Sequence, residues 1–304
     1  MSGDRGPHGW LVIDKPQGLS SSRVVEMIRR LIGTKVGHAG TLDPLATGVL
    51  PIALGEATKT TAYAMAGRKR YRFRVRWGIA RATDDREGKI VGECSLRPSR
   101  EAIEAILPRF TGTILQSPPP YSAIKVDGRR AYALARAHRP PALTARPVQI
   151  AALRLIAVPD RDHADCEALV GTGTYIRALS RDLGIALGTF SHVAELRRLS
   201  VGRFTEAQAI SLDSVVQRRH SQAASEYLLP IETALDDIPA LALTAAEAAR
   251  LRCGQRVTPH DIGVRAHLER LDEGTVVSVW YDQAVIALAK IENGSLRPAR
   301  VISR

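Results

Sequence analysis

Residues 37–50 read GHAGTLDPLATGVL and place one carboxylate, Asp43, among small, turn-forming and aliphatic residues. Glycines stand at positions 33, 37, 40 and 48, and Pro44 restricts the backbone directly after the acid. This composition predicts a tight turn that another backbone or a ligand can approach closely. An acid held on such a turn suits a nucleophile or a base. The residues alone slightly favour the simpler alternative, in which Asp43 only forms an Asp-Pro turn.

Regular elements are predicted on both sides of this loop. Residues 10–13 read as a strand. Serines at 20–22 can cap a helix whose apolar residues recur at helical spacing up to Gly33. Residues 49–54 read as the strand that follows the loop. The sequence therefore predicts that Asp43 lies on a connection inside a mixed helix and strand arrangement.

Further along, residues 68–77 read RKRYRFRVRW, a strict two-residue alternation of basic and mostly apolar side chains. The pattern predicts a strand with one guanidinium face, formed by Arg68, Arg70, Arg72, Arg74 and Arg76. Alternate side chains on a strand stand about 6–7 Å apart, close to the spacing of phosphates along a nucleic-acid strand. We therefore favour RNA-backbone contact over a merely solvated face, while acidic neighbours could also cover part of the strand.

Composition points to a polyanionic partner. The 304 residues include 43 Lys and Arg against 31 Asp and Glu, which gives a net charge of +12. A compositional bias toward arginine contributes to this excess, but a nucleic acid is the favoured explanation. Three separate cysteines predict a reducing compartment, and the absence of an apolar signal or membrane-spanning run predicts a soluble, cytoplasmic protein.

The rest of the chain divides into predicted elements and a change of composition. A helix is expected at 99–110, paired strands at 147–158 and 166–170, and a helix over 175–187. A loosened pattern between about 215 and 240 suggests a linker. Beyond it, Thr244 and Glu247 form a capping-box sequence, and strands are expected at 275–281 and 284–291 before an Asn293-Gly294 turn.

Other candidate site residues are ambiguous from the residues alone. Tyr71 lies on the apolar face of the arginine strand, and a core position is the better interpretation for it and for Tyr175. Arg177 follows a glycine-containing turn at a predicted helix start, where backbone amides favour an anion, although a surface position is equally compatible. An arginine close to Asp43 would favour the ionised carboxylate. His38 alone is most often structural. Motifs for nucleotide phosphates and zinc proteases are absent from the sequence.

Six segments occur in a fixed order and carry a resemblance. They read DKPQG at 14–18, GHAGTLDPLATG at 37–48, KRY at 69–71, PPPYSAIK at 118–125, GTYIR at 173–177 and LRRLSVG at 196–202. This series resembles the successive motifs of the tRNA pseudouridine-55 synthases of the TruB type. The resemblance implies an isomerase that converts uridine 55 in the tRNA T-arm to pseudouridine after base flipping.

The resemblance also implies an architecture. It is the α+β pseudouridine synthase fold, with a mixed, largely antiparallel sheet, flanking helices and a small C-terminal PUA-like β-rich domain that binds RNA. We divide the chain into a disordered leader at 1–9, a catalytic domain at 10–235 and the PUA-like domain at 240–304. An RNA-gripping thumb is expected within the catalytic domain at about 120–146.

The resemblance assigns catalytic roles to three residues. Asp43 matches the catalytic aspartate, and Arg177 matches the arginine that pairs with it. Tyr71 matches the tyrosine that stacks on the target base and has been proposed to take part in proton removal. Whether the carboxylate attacks the ribose, attacks the base or removes a ribose proton stays open at this stage, as does the group that takes the final proton.

Substrate-binding roles follow in the same way. Leu196 matches an aliphatic contact to the flipped uracil, and Tyr175 neighbours Arg177 in its motif. His38 matches a histidine that occupies the space left in the T-loop, and Lys15 belongs to a supporting motif beside the site. The resemblance implies no metal and no nucleotide cofactor, with the tRNA T-arm as partner and a monomer as the expected state. A guide-RNA-directed synthase and a non-catalytic tRNA-binding or tRNA-folding protein are the alternatives.

Overall fold

The computed structural model describes residues 6–122, 124–126, 128–137, 141, 143–217, 227–260 and 270–303. The helices are α1 (Ser21–Ile32), α2 (Thr61–Ala66), α3 (Arg100–Ile106), α4 (Ala131–Arg136), α5 (Ile176–Ala186), α6 (Leu212–Gln217) and α7 (Ala245–Arg252). In these residues no helix is both long and apolar enough to span a bilayer.

The first nine strands lie in the first half of the chain, before and within the predicted thumb. They are β1 (Gly9–Lys15), β2 (Val36–His38), β3 (Thr47–Leu54), β4 (Lys69–Trp77), β5 (Ile79–Arg81), β6 (Ile90–Glu93), β7 (Gly112–Gln116), β8 (Lys125–Val126) and β9 (Arg129–Arg130). The strands that follow are β10 (Arg146–Asp160), β11 (His163–Val170), β12 (Ser191–Val201), β13 (Phe204–Thr205), β14 (Ile210–Ser211), β15 (Ala240–Ala242), β16 (Val276–Tyr281), β17 (Ala284–Glu292) and β18 (Ser295–Val301).

One large sheet forms the body, in the order β14-β1-β3-β12-β4-β11-β10-β7, with β13 added to β12 and β2 to β3. The pairs β1–β14 and β12–β3 are parallel, and the other pairs of this sheet are antiparallel. The predicted mixed, largely antiparallel sheet is therefore confirmed.

The two faces of this sheet carry different side chains. Phe73, Val75 and Trp77 of β4 belong to the main hydrophobic core, which also contains apolar residues of α1, α3 and α5. We call this side the helix face. Successive strand residues point to opposite sides, so the even-numbered arginines of β4 lie on the opposite face. Near β1 and β3 that opposite face is covered by a second core around Trp10 and Val12.

Local signals set the helix boundaries. Ser20 caps α1 by accepting a hydrogen bond from the backbone N–H of Arg23, and Gly33 ends the helix in the left-handed conformation at φ 72°. Ser99 caps α3 in the same way, and Thr244 and Glu247 form the predicted capping box of α7. The helix predicted over 99–110 changes to a 3₁₀ helix at Leu107–Phe110.

The C-terminal segment forms its own four-stranded sheet, in the order β15-β16-β17-β18. The two predicted strands and the Asn293-Gly294 turn are confirmed, because both turn residues have positive φ and connect Glu292 to Ser295 across a hairpin. Strand β18 was not predicted. Val285, Leu288 and Ile302 join this sheet to the second core of the body.

Two predicted boundaries changed or stay untested. Residues 1–5 of the expected leader lie outside the described residues, but the prediction is wrong for the end of that segment. Strand β1 begins at Gly9, which pairs with Leu54, and Nδ1 of His8 accepts a hydrogen bond from the Glu56 N–H at 3.2 Å. A short segment without periodicity could not reveal this pairing. The domain division at 235–240 stays a prediction.

The predicted thumb contains the β8–β9 hairpin and α4. Helix α4 is hydrogen-bonded to the start of the thumb, because the N–H of Tyr132 donates to the Ser122 carbonyl at 3.0 Å. Parts of the predicted thumb, at 123, 127, 138–140 and 142, lie outside the described residues.

Candidate active site

Asp43 lies on the connection between β2 and β3, and neighbouring segments hold its backbone. The carbonyl of Asp43 accepts a hydrogen bond from the Ala46 N–H at 3.0 Å, which forms the predicted turn. The Ser21 hydroxyl, at the start of α1, accepts from the Leu42 N–H at 2.8 Å and bonds to the Leu42 carbonyl at 3.1 Å. The Gly18 N–H donates to the Pro44 carbonyl at 2.8 Å. The loop is therefore fixed on both sides of the acid, whose side chain is 37% exposed.

Arg177 comes from the first turn of α5 and makes a two-point contact with Asp43. Its Nε donates to Oδ2 at 2.9 Å and its Nη2 donates to Oδ1 at 3.2 Å. The predicted pairing of these residues, 134 positions apart in sequence, is present in the structure. The arginine side chain is only 5% exposed, so the Arg177 side of the contact is shielded from solvent, whereas the Asp43 side chain is partly exposed.

Two of the three remaining N–H donors of Arg177 also form hydrogen bonds. Nη1 donates to the carbonyl of Thr83 at 2.9 Å, and Nη2 donates to the carbonyl of Tyr121 at 2.9 Å. A second acid, Asp85, has an oxygen 3.7 Å from Nε. A planar guanidinium held by this many acceptors has little freedom to rotate, so Arg177 fixes the direction of the Asp43 carboxylate.

A second acid and arginine contact lies beside the first and was not predicted. Arg181, one helical turn after Arg177, donates through Nη1 to Asp84 at 2.9 Å. Burial raises the pKa of Asp84, and the positive charge of Arg181 opposes that effect. Asp84 adopts φ 57°, in the left-handed region. The adjacent acids in the turn-rich stretch TDDREG at 83–88 were the available sequence signal.

A side chain of strand β7 caps the start of α5. Tyr175 precedes the helix without a side-chain cap of its own, and its backbone N–H donates to Oε1 of Gln116 at 2.8 Å. The guanidinium carbon of Arg146 lies 5.6 Å from the centroid of the Tyr175 ring, in a cation–π contact. The anion-binding position expected at this helix start is thus partly occupied by an amide oxygen.

Tyr71 and Leu196 lie together on the helix face. Leu196 of β12 is the Cα partner of Phe73 in the neighbouring strand β4, two residues from Tyr71. Leu196 is buried in the main core, and the half-buried Tyr71 packs against that core. The structure therefore brings an aromatic and an aliphatic side chain to the face that also carries α5 and Arg177.

Lys15 is buried beneath the loop that carries Asp43. Its Nζ donates to the carbonyls of Pro16 at 2.9 Å, Leu19 at 2.7 Å and Pro44 at 3.4 Å. Burial lowers the pKa of Lys15 to about 8, although the nearby carboxylate of Asp43 acts in the opposite direction. These bonds agree with a supporting role, because they connect the DKPQG segment to the residue after Asp43.

His38 ends strand β2, just before the loop. Burial lowers the pKa of His38, and the charge of Arg198 adds to that effect. Among the described residues nothing forms a hydrogen bond with its Nδ1, which is buried. A neutral imidazole is therefore favoured here at physiological pH.

The five predicted RNA-binding arginines occupy a different environment from the expected one. Three are ion-paired with acids of neighbouring chain segments. Arg74 contacts Asp165 at 2.7 Å, Arg76 contacts Asp162 at 2.8 Å, and Arg72 lies 3.6 Å from Glu167. Strand β4 contributes these side chains to the face opposite Tyr71. Repulsion between like charges along this face is thus largely neutralised, and of the five arginines only Arg68 and Arg70 are exposed with no ion pair to an acid among the described residues.

The site presents a partly exposed carboxylate held by Arg177, and the sheet face that carries Arg177 also carries the Tyr71 ring and the Leu196 side chain. The described residues contain no group of three or more His, Cys, Asp or Glu side chains that could bind a metal ion. Such a site can carry out nucleophilic or proton-transfer chemistry by an acid on a flat, partly apolar substrate.

Comparisons with known proteins agree with this class of site. Residues 29–176 match the family model described as the TruB family pseudouridylate synthase N-terminal domain. Residues 177–236 match the tRNA pseudouridylate synthase B C-terminal domain. The fold and site are those of a pseudouridylate synthase. Within that class, the chain belongs to the TruB family.

Two bacterial relatives extend the match to nearly the whole chain. A protein of Rhodospirillum rubrum named tRNA pseudouridine synthase B is 52% identical over 297 residues, covering 97% of this chain and 96% of the relative. A protein of Bradyrhizobium diazoefficiens with the same name is 52% identical over 305 residues, covering 98% of this chain and 87% of the relative.

Solved structures show the same fold. A chain in the crystal structure of the archaeal box H/ACA sRNP Nop10-Cbf5 complex has a TM-score of 0.73 at 24% identity. That match covers 97% of this chain and 86% of the other. A chain in a Cbf5-Nop10-Gar1 complex has a TM-score of 0.72 at 25% identity, covering 98% of this chain and 84% of the other. The predicted pseudouridine synthase fold is confirmed.

Proposed function

We propose that this chain converts uridine 55 in the T-arm of tRNA to pseudouridine, with Asp43 as the catalytic carboxylate. The observation that carries the proposal is the two-point contact of Arg177 with Asp43, at 2.9 and 3.2 Å, in a chain 52% identical to proteins named tRNA pseudouridine synthase B. Arg177 fixes the direction of the carboxylate, so that it can be aimed at a bound nucleoside.

The reaction matches the groups that the site provides. The N-glycosidic bond between the uracil and the ribose breaks, the base rotates, and a bond forms from carbon 5 of the base to carbon 1′. Carbon 5 then gives up its proton, and the released nitrogen 1 takes up a proton, so that atoms and charge balance. No group is lost and there is no net oxidation or reduction. The carboxylate of Asp43 can attack carbon 1′, attack carbon 6 of the base, or remove a ribose proton, and each route requires the carboxylate to be held close to the nucleoside.

Tyr71 and Leu196 are proposed to hold the flipped base. Removing a nucleotide from its stack costs a few kcal/mol, which aromatic and apolar contacts in the pocket offset. The half-buried Tyr71 supplies a ring, and Leu196 supplies an aliphatic surface on the adjacent strand. His38 is proposed to fill the space that the base leaves, and Tyr175 to contact the substrate beside Arg177.

The RNA partner is proposed to be bound mainly by shape and backbone contacts. RNA loops are recognised through splayed bases and phosphate contacts. The thumb presents exposed basic residues, Lys125 and Arg129, on the β8–β9 hairpin. Contact with the RNA backbone was expected for the arginines at 68, 70, 72, 74 and 76, and we propose it here for Arg68 and Arg70, because Arg72, Arg74 and Arg76 are ion-paired. The monomeric state and the RNA-binding role of the C-terminal sheet stay predictions.

Substitution of Asp43 by Asn tests the catalytic assignment. We expect the variant to form pseudouridine in a T-arm transcript at less than about a thousandth of the wild-type rate, because an amide cannot act as nucleophile or base. Asp14→Asn is the matched control, since its side chain is 39% exposed and is also ion-paired with an arginine, Arg197. Normal product formation by Asp43→Asn would refute the assignment.

The substrate assignment needs a separate measurement. Purified protein and an unmodified tRNA transcript, with no other RNA present, are expected to give pseudouridine at position 55 alone, as mapped by chemical sequencing. A requirement for an added guide RNA would instead support the guide-directed alternative. Binding of the tRNA without product would support the non-catalytic alternative.

A further inference from the structure

Arg198 is a buried cation that the proposed chemistry does not use. It lies on β12, two residues after Leu196, and its side chain is 1% exposed. Among the described residues it forms no ion pair with a carboxylate, and its side chain bonds to backbone carbonyls instead. Burial of a charge is unfavourable unless hydrogen bonds replace its lost hydration. The position of those carbonyls therefore shows what the charge stabilises.

The carbonyls lie on both sides of Asp43. Nη2 of Arg198 donates to the Gly40 carbonyl at 2.9 Å, and Nη1 lies 3.5 Å from the carbonyl oxygen of Thr41. Nε donates to the Val49 carbonyl at 2.8 Å. One planar guanidinium thus bridges the chain entering the catalytic loop and the strand leaving it.

Two glycines of the loop leave room for Arg198, Gly48 for its backbone and Gly40 for its guanidinium. Gly48 is the Cα partner of Arg198 in the parallel β3–β12 pair, and a Cβ at Gly48 would lie 2.2 Å from the Arg198 carbonyl oxygen. A Cβ at Gly40 would lie 3.3 Å from Nη1 of Arg198. Both glycines have positive φ, at 96° and 100°. The close approach of loop and strand therefore depends on glycine at these positions.

We propose that Arg198 is a positioning residue that fixes the Asp43 loop relative to the strand carrying Leu196. The inference rests on the proposed function, in which Leu196 contacts the flipped uracil and Asp43 reacts with the same nucleoside. Because Arg198 and Leu196 share β12, the guanidinium sets the distance between the base-binding wall and the carboxylate. Arg177 orients the carboxylate from α5, and Arg198 holds the backbone that carries it.

The test compares three variants. Arg198→Lys keeps the positive charge but loses the planar fork that reaches both sides of the loop. Arg198→Met removes the charge and the donors. Arg197→Met is the matched control, because the neighbouring Arg197 side chain binds Asp14 and Glu206 and reaches only the Thr47 hydroxyl, at 3.4 Å, where the loop joins β3. Circular dichroism and thermal unfolding of each variant establish the temperature at which all four proteins are folded.

At that temperature two quantities are measured with a T-arm transcript: the single-turnover rate at saturating protein and the dissociation constant. We expect both Arg198 variants to lose about 10- to 100-fold in rate, as small misplacements of reacting groups do. The dissociation constant is expected to stay within about threefold of wild type, since the phosphate contacts are elsewhere. The Arg197→Met rate is expected to stay near wild type.

Hydrogen exchange supplies a readout independent of activity. Backbone amides of residues 40–48 are expected to exchange faster in Arg198→Met than in wild type or Arg197→Met. Wild-type rates in Arg198→Lys, unchanged exchange at 40–48, or a loss confined to RNA affinity would each overturn the inference. If the wild-type protein forms no pseudouridine, the proposed function fails instead, and the exchange comparison still tests whether Arg198 fixes the Asp43 loop.

Discussion

At the scale of single residues, the direction of the Asp43 carboxylate depends on Arg177. We predict that Arg177→Lys lowers the rate of pseudouridine formation by at least about 100-fold. A lysine is a single point charge and cannot bond to Asp43, Thr83 and Tyr121 together in the geometry of the guanidinium. The measurement is single-turnover formation of pseudouridine in a T-arm transcript.

The control for this prediction is Arg181→Lys on the same helix. Arg181 contacts Asp84 rather than Asp43 and is more exposed than Arg177. We expect a smaller decrease in rate for this variant. A wild-type rate for Arg177→Lys would show that the geometry of the Arg177 contact is not required, and that any cation near Asp43 is sufficient.

Lys69 carries a second residue-scale prediction, on the pH dependence of stability. It is buried, and its Nζ donates to the Met65 carbonyl and to the Thr172 hydroxyl. Burial, with a smaller contribution from the charge of Arg198, lowers the pKa of Lys69 from 10.5 to about 8. Between these values the unfolded chain binds more protons than the folded chain at this site. The contribution of Lys69 to the free energy of unfolding therefore increases as pH rises from about 8 to 10.5.

Urea unfolding of wild type and Lys69→Met measures this contribution. The difference in the free energy of unfolding, wild type minus variant, is expected to grow by at most about 1.4 kcal/mol per pH unit in that window and to be flat below it. Lys15 titrates in both proteins and cancels from the difference. The exposed Lys35→Met variant is the control and is expected to keep the wild-type slope. A difference that shrinks with rising pH would contradict the prediction.

At the scale of elements, the sequence predicted what depends on local pattern. The alternation of β4, the cap of α1, the capping box of α7 and the Asn293-Gly294 turn are all confirmed. Each depends on residues close in sequence. Strands β12 and β18 were not predicted, because β12 is interrupted by bulges and β18 contains a proline and four charged or small residues.

Contacts between segments far apart in the chain were harder to predict from the sequence. The Asp43–Arg177 pair was expected only through the family resemblance, since no local pattern connects residues so far apart. The acids opposite Arg72 and Arg74 depend on the register of β4 with β11, which pairs Arg72 with Glu167 and Arg74 with Asp165. A one-residue change of register would place these acids on the other face. The sequence of β4 by itself contains no information on that choice.

This register supports a prediction that separates strand β4 from the thumb. We expect Arg74→Gln to lower the free energy of unfolding by about 0.2–1 kcal/mol, as expected for a partly exposed ion pair. Its effect on the salt dependence of T-arm binding should be negligible, because Asp165 and Glu195 already neutralise this side chain. The exposed Arg129 of the thumb is expected to behave differently.

For Arg129→Gln, the slope of log affinity against log salt concentration is expected to decrease by about one, the change produced by losing one phosphate contact. Filter binding of a T-arm transcript at several salt concentrations provides both slopes. A reduced slope for Arg74→Gln with an unchanged slope for Arg129→Gln would contradict this prediction and show that strand β4, rather than Arg129, contacts the RNA backbone.

At the scale of the whole molecule, the second core connects the two sheets. Trp10 and Ala53 of the large sheet share this core with Val285, Leu288 and Ile302 of the C-terminal segment. Two hydrogen bonds add to it. Nζ of Lys59 donates to the Val301 carbonyl at 2.7 Å, and the Ser303 N–H donates to Glu56 at 2.6 Å. Because burial of apolar surface is the main driving force of folding, the two sheets are expected to unfold as one cooperative unit.

Calorimetry of wild type, Ile302→Ala and Ile286→Ala tests this cooperativity. Both isoleucines are 2% exposed, but Ile302 lies in the shared core and Ile286 in the core of the C-terminal sheet. Each substitution is expected to cost about 2–5 kcal/mol. In a cooperative molecule both variants show a single transition at a lower temperature, because a cavity in either core destabilises the same folded state. If the sheets are independent, wild type shows two transitions, and Ile286→Ala lowers only the one that belongs to the C-terminal sheet.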